Sequence, residues 1–154
     1  MRPRRGDSPL VARKLSDIEM NVFASPTYLA RAGTPRSVEE ALSHAWVSFS
    51  ERKFSGPLAA LAKVKPRWVG DDVAFVANAV VGGTGLGLLP TFLVRDHLTA
   101  GTVVRVLPRV SVMAGALYLV YPPTRHVPRK VSAFRDFLVE HFAAHPLTTA
   151  SLSP

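Results

Sequence analysis

Apolar and polar positions alternate with period two at the start of the chain and then shift to helical spacing, and these shifts delimit the elements. "PLVARKL" (9–15) and "IEMNVFAS" (18–25) read as two short strands joined by the turn residues Ser16 and Asp17. Ser25 then caps a helix with Pro26 at its first position, "SPTYLARAG", and Gly33 lies just past its end. "SVEEALSH" repeats the device: Ser37 and Glu40 form a capping box, and Val38, Ala41 and Leu42 supply an apolar face. "AWVSFS" (45–50) sets Trp46 and Ser48 against Val47 and Phe49, as expected of a strand buried on both faces. Residues 51–63 show no clear period.

"VKPRWVG" (64–70) reads as a strand that Pro66 confines to an edge or a strand start. In "DDVAFVANAVVGG" a helix follows, capped by Asp71 or Asp72, with Val73, Val76, Ala77 and Val80 at i, i+3, i+4 and i+7. "LGLLP" (86–90) is a short buried strand, "TFLVRDHLTAG" (91–101) a helical turn or two stopped by Gly101, and "VVRVLP" (103–108) and "ALYLVYP" (116–122) are strands. The last element is "RKVSAFRDFLVEHF" (129–142), where Val131, Phe134, Leu138 and Phe142 form one stripe opposite Arg129, Arg135, Asp136 and Glu140. The tail that follows has no periodicity. Strands alternating with capped helices predict an α/β fold with a largely parallel sheet.

Composition narrows the class. The 154 residues suit one domain, and 47% apolar with 19% charged residues is a globular balance. Without cysteine there is neither a disulfide framework nor a thiolate metal site. No apolar run reaches the ~18 residues of a membrane span, and no signal-peptide pattern opens the chain, so a cytoplasmic location without membrane contact is expected. The formal charge of +8 invites a nucleic-acid reading, but Arg2, Arg4, Arg5, Arg13 and Lys14 crowd the start and the rest are scattered. That basic N-terminal arm reads as a solvated flap or as a nucleic-acid-binding arm. The remainder has no stripe of basic and aromatic residues to follow a phosphate backbone.

Candidate chemistry then falls away motif by motif. "GGTGLGLLP" has glycines at 82, 83, 85 and 87, but Leu88 or Pro90 stands where a dinucleotide fingerprint needs its third glycine. The glycines also close a helix and lead into a strand, the reverse of a phosphate-binding loop, so no nucleotide cofactor is implied. Gly82 and Gly83 are expected to end the helix in left-handed conformations, and Gly85 and Gly87 to keep the strand slim where backbone or ligand approaches. His44, His97, His126, His141 and His145 show no metal spacing, and no G-x-S-x-G elbow exists for a serine nucleophile. Asp71 and Asp72 are adjacent carboxylates, yet helix capping accounts for one of them. No catalytic residue, metal or cofactor is expected, and the chain does not read as an enzyme.

"PLVARKL", "FASPTYLARAGTPRSVEE", "VGDDVAFVANAVVGGTGLGLLPTFLVRDHLTAGTVVRVLP" and "LYLVYPPTRHVPRKVSAFRDFLVEHF", in that order, resemble the effector-binding domain of LysR-type transcriptional regulators. The resemblance covers residues from about 8 to 142. It implies two α/β lobes, like a type 2 periplasmic solute-binding protein, closing around a small-molecule effector. Residues 1–19 are then a basic arm and the last lobe-one strand, 20–110 lobe two, 111–143 the returning strand and final helix of lobe one, and 144–154 a disordered tail. The winged helix-turn-helix and the first part of lobe one have no counterpart, so one lobe is complete and the other partial. DNA binding would then require a domain this chain lacks, and self-association into a homodimer or larger species is expected.

For the effector, small and either anionic or aromatic, the resemblance places a cleft beside crossings near Ala24–Ser25 and Arg109–Ala114. Ser25 and Thr27 offer hydroxyls at a helix start; Ser48, Phe49 and Ser50 lie at a strand's carboxyl end; Asp71, Asp72 and Val73 open a helix; Gly83, Thr84 and Gly85 let a ligand approach backbone. Each also has a structural reading, as helix cap, core residue or helix stop. Two other classes stay open: a stand-alone small-molecule-binding or interaction module whose basic arm touches nucleic acid, and an enzyme on a solute-binding fold, which lacks a nucleophile–base pair.

Overall fold

The computed structural model describes residues 10–50, 56–123 and 128–148; the basic arm before Leu10, the segment 51–55, His126 and the end of the tail lie outside them. Within these limits the chain forms two compact units, residues 19–114 and residues 10–18 with 115–148. Two strands run through both units: β1 (Val11–Ala24) and β6 (Val112–Tyr121), which pair with each other. The turn expected at Ser16–Asp17 is absent, because β1 continues through it as a single strand. A long strand with partners along its length outweighs local turn preference, and both residues find other partners. Ser16 Oγ donates to the Asp17 carbonyl (3.1 Å) and accepts from the Leu147 N–H (2.9 Å), while Asp17 pairs with Lys14 at 2.5 Å.

In the unit 19–114 the helices appear where the capping residues place them. Ser25 accepts from the Tyr28 N–H at the start of α1 (Pro26–Ala32), Ser37 from the Glu40 N–H at α2 (Val38–Ala41), and Asp72 from Ala74 and Phe75 at α3 (Val73–Val81). Between them run β2 (Trp46–Phe49) and the three-residue β3 (Trp68–Gly70), with a 3₁₀ segment over Gly56–Lys63. After α3 come β4 (Leu86–Pro90), a 3₁₀ turn over Thr91–Val94, α4 (Arg95–Thr99) and β5 (Val104–Val106).

The sheet order is β3-β2-β4-β1-β5. β2 is parallel to β3 and β4, whereas β1 is antiparallel to both β4 and β5, so the sheet is mixed where a largely parallel one was expected. Strand direction is set by where each connection returns, which periodicity does not encode. Alternation along the strands divides the core in two. Val22, Ala24, Trp46, Leu86 and Val106 face α1, α2 and the 3₁₀ residues Leu58 and Leu61. Phe23, Val47 and Leu89 face Val76, Ala77 and Val80 of α3. A sheet buried on both faces explains why "WVSF" is apolar on both sides. Full burial of side chains such as Leu58 and Leu61 contributes about 1.5–3 kcal/mol each.

The other unit holds α5 (Arg129–Ala144), which has no buried side chain among those described. Val131, Phe134 and Phe137 on α5 and Tyr118 and Val120 on β6 are exposed.

Candidate functional site

The eleven candidate residues lie at two opposite ends of the sheet. Register shows this directly: Phe23 of β1 pairs with Gly87 of β4 and Met20 with Pro90, so Ser25, after β1, lies level with the start of β4. There Ser25 Oγ and Thr27 Oγ1 are 2.9 Å apart, and a Cβ on Gly83 would lie 3.2 and 3.1 Å from those oxygens. Gly83 has φ +81° and ends α3, as its neighbourhood in sequence predicts, but Gly82 has φ −70° and is right-handed helix, correcting the expectation of two left-handed glycines. Thr84 turns its hydroxyl back onto the Ala79 carbonyl at 2.7 Å. Beside Gly85 the space is already occupied, because a Cβ there would strike the carbonyl oxygen of Ala45. The slimness of that strand serves a neighbouring backbone. Gly87 does the same for α3, where a Cβ would lie 2.5 Å from Val80 Cγ2.

The second group sits at the carboxyl ends of the parallel strands. Phe49 is paired with Gly70, and the Ser50 N–H donates to the Gly70 carbonyl at 2.8 Å, so Ser50 and Asp71 emerge side by side. Asp72 Oδ1 accepts from Ala74 N–H (2.6 Å) and Phe75 N–H (3.0 Å), which commits that oxygen to capping; the Asp71 side chain is exposed. Val73 and Phe75 are exposed, Phe49 is half-buried, and Ser48 is buried with its hydroxyl on the Phe49 carbonyl (3.3 Å). The nine residues of α3 separate the two groups by about 14 Å along the helix. One small ligand does not touch both. Among the described residues no group of three or more His, Asp or Glu side chains is placed to hold a metal. No helix among them is long and apolar enough to cross a membrane.

A family model described as LysR substrate binding domain matches residues 1–143. The chain belongs to this family. PtxR, an HTH-type transcriptional regulator of Pseudomonas aeruginosa, is 31% identical over 156 residues, covering 94% of this chain and 48% of PtxR. CrgA, an HTH-type transcriptional regulator of Neisseria meningitidis serogroup C, is 32% identical over 141 residues, covering 87% of this chain and 47% of CrgA. The chain thus spans about half the length of the curated relatives it matches. The solved regulatory domain of CrgA superposes with a TM-score of 0.75 at 29% identity, covering 90% of this chain and 72% of that domain. The regulatory domain of AphB from Vibrio vulnificus, at 23% identity and a TM-score of 0.70, shares the fold. The α/β architecture is that of LysR regulatory domains, and LysR proteins are transcriptional regulators and not enzymes.

Three features of this LysR domain carry no sequence signature. Arg31 Nη2 donates to the Gly83 carbonyl at 3.0 Å, and its guanidinium lies 5.6 Å from the Tyr28 ring centroid. Tyr28 Oη accepts from the Ala45 N–H (3.1 Å) and lies 3.0 Å from His44 Nδ1, so that histidine serves packing between α1 and β2. Asn21, fully buried, donates to Thr91 Oγ1 at 2.8 Å, next to the carboxyl end of β4. Apart from the Arg31–Tyr28 contact within α1, these pairs join residues 16 to 70 positions apart, so only the tertiary fold brings them together.

Proposed function

We propose that this chain is the effector-sensing portion of a LysR-type regulator, acting in the cytoplasm and on transcription through a DNA-binding domain joined to it. The supporting observation is the carboxyl edge of β2 and β3, where Ser48, Phe49 and Ser50 meet Asp71, Asp72 and Val73. Ligands of α/β sheets gather outside the carboxyl ends of parallel strands. Of the two expected ligand chemistries, the aromatic one suits this edge better. Phe49, Val73 and Phe75 offer apolar surface, while the exposed carboxylate of Asp71 repels an anion and accepts from a hydroxyl. Ser25, Thr27, Gly83, Thr84 and Gly85 are then supports at the far end of the sheet. Self-association belongs to the same reading, since the apolar surface on β6 and α5 requires a partner.

An amide NMR titration of the chain with small hydroxylated aromatic compounds tests the site. Shifts centred on Phe49, Ser50 and Asp71–Val73 are expected, with Asp71→Asn weakening them. Shifts centred on Ser25, Thr27 and Gly83 would overturn the assignment.

A further inference from the structure

A cavity of about 390 Å³ opens in the unit 19–114, between the segment leaving α1 and the end of β5. That size lies within the ~300–1,000 Å³ typical of small-molecule sites. Val38, Val106, Leu107 and Pro108 give it an apolar lining, and every charged residue lining it is an arginine. Arg36 and Arg109 are exposed residues at its border, free to turn toward a ligand. Arg105 also lines it, but pairing with Phe23 turns its side chain toward the opposite face from Val106, so it supplies backbone there. The carboxylate of Glu40 also lies at this border, its Oε2 accepting from the backbone N–H of Arg36 at 2.8 Å, and among the described residues no ion pair joins it to an arginine side chain.

The floor is held in an unusual shape. Leu107 has φ +56°, the one non-glycine residue in the left-handed region among those described, and its carbonyl accepts from the Val110 N–H at 2.8 Å. Such conformations are disfavoured for large side chains and persist where surrounding packing holds them. Here the strained turn presents Arg109 beside the cavity. We propose that this cavity is a second ligand site that takes a compact organic anion, a carboxylate on a small apolar body. The guanidinium fork matches a carboxylate, and the valine and leucine lining matches the body. The site is separate from the carboxyl edge of β2: three interstrand steps, β2 to β4 to β1 to β5, amount to about 14 Å.

Benzoate is the test probe, with benzyl alcohol as its uncharged counterpart and inorganic phosphate as an anion without the apolar body. Methyl NMR of the chain reports the location. Benzoate is expected to shift Val38, Val106, Leu107 and Val110 saturably, at least tenfold more tightly than either control. The exposed-residue pair R36Q/R109Q should weaken it at least tenfold while leaving the melting temperature unchanged. Equal binding of benzyl alcohol or phosphate, benzoate affinity unaffected by R36Q/R109Q, or shifts confined to Phe49 and Val73 would each overturn the proposal. The last of these would leave the carboxyl-edge reading standing, and loss of that reading would not alter the methyl result here.

Discussion

Arg31 reaches from the last turn of α1 to donate to the carbonyl of Gly83, 52 residues later, at 3.0 Å. Gly83 ends α3 with φ +81°, and a Cβ there would press on the hydroxyls of Ser25 and Thr27. Helix start, helix end and strand start are therefore locked together at one end of the sheet. Gly83→Val should lower stability by about 1–3 kcal/mol from the backbone conformation alone, with crowding of the two hydroxyls added. Thermal melting reads the loss, and an unchanged melting temperature would show that the end of α3 relaxes freely.

Gly85 and Gly33 make a matched comparison. Gly33 has φ +84° with open space around it, whereas Gly85 lies against the Ala45 carbonyl, whose neighbour Leu86 donates its N–H to the same oxygen at 2.8 Å. Gly33→Ala should cost about 1 kcal/mol, the ordinary penalty of a left-handed position. Gly85→Ala should cost more, because backbone on β2 must move. Denaturant unfolding of the two variants checks the order. The reverse order would restore open space beside Gly85.

Self-association should depend on α5. Phe134 and Phe137 are each 60% exposed, a large apolar surface for one helix. Phe134→Asp with Phe137→Asp should convert a dimer or larger species to monomer in sedimentation, whereas moderate salt should change little because apolar contacts are not screened. A wild-type chain that sediments as a monomer at tens of micromolar would refute this.

Acid should report on Asp136. The hydrogen bond from Arg135 Nε at 2.9 Å, and then its charge, hold the Asp136 carboxyl below the ordinary aspartate value. A depressed carboxylate adds stability above its unfolded pKa and loses it as pH falls through the folded one. Both side chains lie on the surface, so the effect on stability is small. Carbon NMR of the carboxyl should show a midpoint below that of a free aspartate, and Arg135→Gln should move it upward. No movement would assign the shift to another neighbour.

The candidate residues show how local and tertiary information differ. Ser25, Ser37 and Asp72 announce their helices because a cap satisfies backbone N–H groups within three residues of itself. The strand at 45–50 shows its two buried faces because alternation needs no partner to be visible. Ser16–Asp17 misleads because the ladder that keeps β1 extended comes from strands far away in sequence. The same holds for the site: both ends of a short apolar strand look alike in sequence, so Ser25 and Ser50 read as neighbours of one cleft. Only the antiparallel register of β1 on β4 and the parallel register of β2 on β3 put them at opposite ends. The sequence alone determined the capped helices, the α/β class and the family likeness, because these rest on contacts a few residues long and on the order of motifs. Strand direction, the filled space beside Gly85 and the arginine-bordered cavity were decided by tertiary structure, where long-range pairing sets which groups meet.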